Sequence, residues 1–136
     1  MSQKFLLFLF SLFILSSCKE NIKYDCIDEQ VDEKIKFSEI QDIFNANCIS
    51  CHNTLSKDYY AGLDLSENTY GNIVNAFSTE RTNEFLVKEF SPDSSYLYRK
   101  LTGENIDQDK MPLSGSLNQI NINKIKLWIE QGAKNE

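Results

Sequence analysis

The chain is poor in histidine, in methionine and in basic charge. A single histidine, His52, serves 136 residues, and only two methionines, Met1 and Met111, accompany it. One imidazole excludes any site that needs a histidine pair from the same chain. Lysine and arginine number 14 against 20 acids, a net charge of −6. That deficit argues against nucleic acid and against electrostatic binding to anionic lipid. An acidic surface suits a basic partner, but it serves solubility equally well and names no partner. Long apolar runs are missing too. The stretch Phe5 to Leu15 is too short to anchor a helix across a bilayer. No internal repeat is found.

That apolar stretch follows one cation, Lys4, and runs into Leu15-Ser16-Ser17-Cys18. A positive start, an apolar stretch and small residues before a cut are the layout of an export signal. The segment resembles the lipobox of bacterial lipoproteins. The resemblance implies lipidation of Cys18 and removal of residues 1–17. The alternative is an ordinary secretory signal with an unconnected Cys18. On either reading the chain leaves the cytoplasm. On the first it is lipid-anchored to a bacterial membrane, in the periplasm or at the cell surface. Losing residues 1–17 removes Lys4 and no acid, so the remainder is one charge more negative. Residues 18–36 are polar, charged and without apolar periodicity, and are expected to be the lipidated N-terminus and a tether. Residues 37–136 are expected to be the domain.

With Cys18 assigned, Cys26, Cys48 and Cys51 remain, an odd number for an exported chain. Cys48-Ile49-Ser50-Cys51-His52 is the CxxCH pattern of covalent haem attachment. Ser38 and Gln41 read as a capping box, with Ile40, Ile43 and Phe44 at helical spacing behind them. A helix is therefore expected from near Ser38 through the motif. On such a helix, residues 44, 48, 51 and 52 share a face. Two thiols could then bond one haem edge while His52 reaches the iron and Phe44 packs on the ring. Three rivals stand beside this reading. A thioredoxin-like dithiol wants a strand–turn–helix setting, which the sequence does not offer. A zinc site could draw on Cys48, Cys51, His52 and Cys26, although adjacent Cys51 and His52 make an awkward tetrahedron. A disulfide across two residues would be strained and leaves His52 unexplained. Cys26 itself is an intermolecular partner, a further ligand or an inert thiol.

The second axial ligand is reached by elimination. Met1 departs with the signal, so Met111 is the one thioether left, in Lys110-Met111-Pro112 within a stretch of loop composition. Packing as a core gap-filler is the other reading. Pro112 biases Met111 toward an extended backbone. Further along, Asn118 is the expected N-cap of a helix with Ile122, Ile125, Trp128 and Ile129 as its apolar stripe and Gly132 at its end. Ser91-Pro92-Asp93 reads as a helix start, with Tyr96, Leu97 and Leu101 buried behind it. A turn and a short helix are expected between Asp64 and Val74. The segment from Ser78 to Phe90 yields no assignment.

Residues 37–133 resemble the single-haem cytochrome c domain of bacterial exported proteins. The resemblance rests on Phe37-Ser38-Glu39-Ile40, Cys48 to His52 and Ala61-Gly62-Leu63-Asp64-Leu65. It continues through Ser95 to Leu101, Lys110-Met111-Pro112 and Trp128-Ile129-Glu130-Gln131-Gly132-Ala133. It implies an all-α, cytochrome c-like domain wrapped around one covalent haem c, with His52 and Met111 as axial ligands. It further implies an electron carrier for another redox protein rather than an enzyme, since both axial positions are filled. Lys110 departs from the arginine such domains often carry, which weakens any bidentate grip on a haem propionate. Two alternatives stay open. One is a sensory or catalytic haem protein in which Met111 is displaced. The other is a lipoprotein without haem, using CxxC as a disulfide or zinc site.

Overall fold

The computed structural model describes residues 34–136. The expected export signal, Cys18, Cys26 and nearly all of the expected 18–36 tether lie outside the described residues. Four helices form the scaffold: α1 (Phe37–Asn47), α2 (Thr69–Ile73), α3 (Tyr96–Thr102) and α4 (Gln119–Glu130). Among the described residues the only extended pairings are two isolated bridges, so the domain is all-α. No described helix is long and apolar enough to cross a membrane.

Helix α1 buries Ile40, Ile43 and Phe44, the three residues whose spacing marks one helical face. Its start differs from the expected capping box. Ser38 lies inside the first turn, and it is the Glu39 carboxylate that accepts the Lys36 N–H over 3.2 Å. Its end differs too. The helix stops at Asn47, where the Asn47 amide donates to the Ile43 carbonyl over 2.7 Å. A side chain competing for a helical carbonyl helps to end a helix at that point. The packed domain also begins before residue 37. Ile35 is buried in the core and its N–H donates to the Gln131 side chain.

Helix α4 follows its stripe. Ile122, Ile125, Trp128 and Ile129 are buried, and the Asn118 side chain accepts from the Asn121 N–H over 2.8 Å. Gly132 ends it at φ +92°, where a β-carbon would stand 2.5 Å from the Phe90 ring. Only glycine suits that turn. Helices α1 and α3 both pack on α4. Phe37 bridges α1 to Trp128 and Tyr70, with ring centroids 5.6 and 5.3 Å away.

The unassigned stretch from Ser78 folds back on the residues just before it, in a narrow turn-back. Residues 74–78 run beside 84–88, joined by Leu86 N–H to Ala76 O at 2.7 Å and Ser78 N–H to Glu84 O at 2.8 Å. It then solves a problem for α3, which has no side-chain cap. The Tyr96 and Leu97 N–H groups donate to the carbonyls of Phe85 and Leu86, both over 2.9 Å. Orphan donors at the helix start are thereby satisfied by distant backbone.

Candidate functional site

Because α1 stops early, the Cys48–His52 motif lies in a turn rather than on the helix. Cys51 and His52 N–H groups donate to the Cys48 carbonyl over 3.1 and 2.9 Å. The turn is tied down on its far side, where the Leu65 N–H donates to the His52 carbonyl over 2.9 Å. The expected common helical face for residues 44, 48, 51 and 52 is therefore replaced by a turn that sorts them.

A cavity of 630 Å³, lined mostly by apolar atoms, opens beside that turn. Phe44, Cys48 and His52 stand on its wall, with Leu63 and Leu65 from the following loop and Tyr96, Leu97 and Leu101 from α3. Met111 comes to the same wall from the loop before α4. Cys51 is half-buried and is not among the wall residues. Lys110 is exposed and also off the wall; its stem lies over Gly103.

Burial sets the chemistry of the two polar groups in the wall. Burial pushes the Cys48 thiol up to about 11, with the neighbouring Cys51 adding to the rise. The thiol is thus protonated near neutral pH. Burial also lowers the His52 pKa, against an opposing pull from the backbone at Leu63 and Tyr60. The neutral imidazole with a free lone pair is the favoured form. Its Nδ1 is buried without a hydrogen-bond partner in the protein. The Tyr60 ring lies edge-on to it at 5.9 Å. Cys48 and Cys51 are both free thiols.

One face of the cavity is polar, and the sequence reading missed it. Lys100 and Glu80, both nearly buried, pair at 3.1 Å. The Tyr96 hydroxyl donates to Glu80 over 2.7 Å. Arg81, Arg99 and Lys100 surround the Tyr96 ring with their charged groups 5.3 to 5.8 Å from its centroid. Tyr96 reads in sequence as one more apolar position, and Glu80 and Arg81 fall in the segment without a pattern. The spacing of Tyr96 and Lys100, one turn apart on α3, was the available signal.

No protein-family model, curated protein or solved structure matches this chain.

Proposed function

We propose that this protein is a c-type cytochrome that carries single electrons through one covalently attached haem. The observation that supports the reading most is the shared cavity. His52 and Cys48 of the attachment motif meet Met111, the one thioether of the described domain, across a long sequence separation. The volume, 630 Å³, falls in the range of cofactor sites, about 300–1,000 Å³. The residues suit the group. A neutral, desolvated imidazole is the form that binds metal, and its unpartnered Nδ1 belongs to a ring not committed to packing alone.

Bound there, the haem would supply a reversible one-electron couple at its iron. Cys48 and Cys51 would hold it covalently through thioethers, and His52 and Met111 would be the residues that bind its iron. The apolar side chains of Phe44, Leu65, Leu97 and Leu101 in the cavity wall would pack against the group. Were His52 and Met111 both to bind the iron, no open site for a substrate would remain, which favours electron transfer over catalysis. On this reading the helices form a cytochrome c-like domain around the haem. Cys18 carries the lipid that holds the protein to a bacterial membrane, in the periplasm or at the surface. A second redox protein takes the electron.

The rivals have less support. A thioredoxin-like dithiol wants a strand before it and a lowered thiol pKa. Here a helix precedes the motif and the Cys48 thiol is raised. Among the described residues no three His, Cys, Asp or Glu side chains converge as ligands, so a zinc site would depend on Cys26. One observation favours a second haem reading. Met111 is only half-buried and its neighbours Asp109, Lys110 and Leu113 are exposed, which suits a ligand that can leave. A sensory or catalytic haem protein would use that freedom.

The test is an absorption spectrum of protein made alongside a haem-attachment system, with and without added imidazole. A c-type spectrum retained under denaturing conditions, and lost in the Cys48→Ala/Cys51→Ala double variant, is expected. Haem that extracts freely into organic solvent would overturn the reading.

A further inference from the structure

Residues 104–110 form no helix or strand, and backbone bonds hold the segment at its two ends: the Gly103 N–H donates to the Arg99 carbonyl over 2.7 Å and the Met111 N–H to the Lys100 carbonyl over 2.8 Å. Gly103 leaves α3 at φ +86°, Asn105 and Gln108 also take left-handed backbone, and residues 107–110 are exposed. Between those ends the backbone makes no backbone–backbone bond, which places it in the less stable part of a fold. Yet it carries Met111 to the cavity wall, and its polar groups are met from two separate elements.

Asp107 is the focus of those contacts. Arg81, from the turn-back segment, grips its carboxylate with both arms of the guanidinium: Nε to Oδ2 at 2.9 Å and a terminal nitrogen to Oδ1 at 2.8 Å. The Asp107 N–H donates to the Tyr96 hydroxyl over 3.1 Å, and its carbonyl accepts from Lys100 Nζ over 3.1 Å. Arg99 donates to the Asn105 carbonyl over 3.3 Å. Arg81 is itself held, with Glu84 at 3.2 Å and the Tyr96 ring beneath it at 5.4 Å. Its side chain is 19% exposed, and that of Asp107 is 53% exposed. A two-pronged, charge-assisted pair with its guanidinium seated on a buried ring is more directional than a single-contact ion pair.

We propose that Arg81 and Asp107 are positioning residues for Met111: their paired grip holds segment 104–111 so that the thioether stays at the cavity wall. Neither residue lines the cavity or touches the groups assigned to the cofactor. The grip works through the backbone that runs from Asp107 to Met111. It makes the ease of displacing Met111 a property of a contact outside the cavity. The inference rests on reading Met111 as an axial ligand, and it deepens that reading.

The experiment uses the full-length chain loaded with haem, and two measurements on Arg81→Gln, Asp107→Asn and the double variant. The first is amide hydrogen exchange over residues 104–111, with α4 as internal reference. The second is the affinity of added imidazole, which competes with Met111 for the sixth position. Loss of the grip should speed exchange of the Asp107 and Met111 amides, the two in 104–111 that donate to the protein, by about tenfold and tighten imidazole binding by a similar factor, with α4 unchanged. The double variant should do little more than Arg81→Gln, because Asp107→Asn removes a contact that Arg81→Gln already removes. Arg81→Lys should recover only part of the effect, since an ammonium lacks the fork. Glu130→Gln, which breaks the exposed Lys126–Glu130 pair, should move neither measurement. Unchanged exchange over 104–111, or an equal rise in α4, would overturn the proposal. If exchange rises locally but wild type and Met111→Ala bind imidazole alike, the grip stands and the ligand reading falls.

Discussion

The main-chain N–H of Met111 donates to the carbonyl of Lys100 over 2.8 Å, so the thioether's backbone is pinned to the last turn of α3. The side chain of the same Lys100 pairs with Glu80 in the cavity wall. One residue thus ties the polar face of the cavity to the loop that brings in the second candidate ligand.

Met111→Ala should remove the weak sulfur-to-iron charge-transfer band of the oxidised protein and lower its potential. Leu113→Ala, at a wall residue that is 61% exposed, should change neither. The two variants are compared by visible spectroscopy and redox titration. An unchanged Met111→Ala spectrum would assign the sixth position to a lysine, water or an outside group.

Glu80→Gln should destabilise the domain by about 2–4 kcal/mol, because Lys100 is left buried with no counter-charge. Their side chains are only 13% and 9% exposed, so solvent cannot take over the pairing. Adding Lys100→Met should recover much of that loss. Denaturant midpoints at constant slope measure both effects. A Glu80→Gln midpoint equal to wild type would mean that the pair contributes nothing.

The two possible helix caps separate cleanly. Asn118→Ala should cost about 1 kcal/mol, since it removes the acceptor for the Asn121 N–H. Ser38→Ala, at an exposed position inside α1, should stay within about 0.5 kcal/mol of wild type. Thermal or chemical unfolding of the two variants distinguishes them. Equal losses would contradict the observed start of α1.

Acid stability should depend on Asp64. The Thr54 hydroxyl at 2.7 Å, then the Ser66 N–H at 2.9 Å and hydroxyl at 2.7 Å, hold its carboxyl well below the usual carboxylate range. A depressed folded-state pKa means that the folded protein binds fewer protons than the unfolded chain. The stability it contributes is complete above the ordinary value of about 4 and is lost as pH falls below it. Asp107 and Glu39 are depressed as well, by Arg81 and Lys124 respectively, so wild type alone cannot isolate the term. The difference in unfolding midpoint between wild type and Asp64→Asn should shrink from about pH 5 down to about pH 2. A constant difference would assign Asp64 a role independent of its charge.

Much of the scaffold was legible in the residues. The stripe of α4, its Asn118 cap and its Gly132 stop are relations between neighbours three or four apart, and such relations are written in local order. The same holds for Tyr96, Leu97 and Leu101 on α3 and for the Ile40, Ile43 and Phe44 face of α1. The inventory of donor atoms is equally local: one imidazole, one CxxCH run and one thioether beyond the first residue are facts of composition. The early end of α1 was not legible, because continuing and stopping helices share the Phe44–Cys48 spacing until the Asn47 amide takes a carbonyl. Nor was the turn-back at 74–88, whose bonds cap a helix that begins later in the chain. His52 and Met111 could be paired from the inventory of donor atoms, but Arg81 and Asp107, which meet beside their cavity, have no periodic relation. Contacts of that kind leave no mark on local pattern, because they form only once helices packed for other reasons have brought distant backbone together.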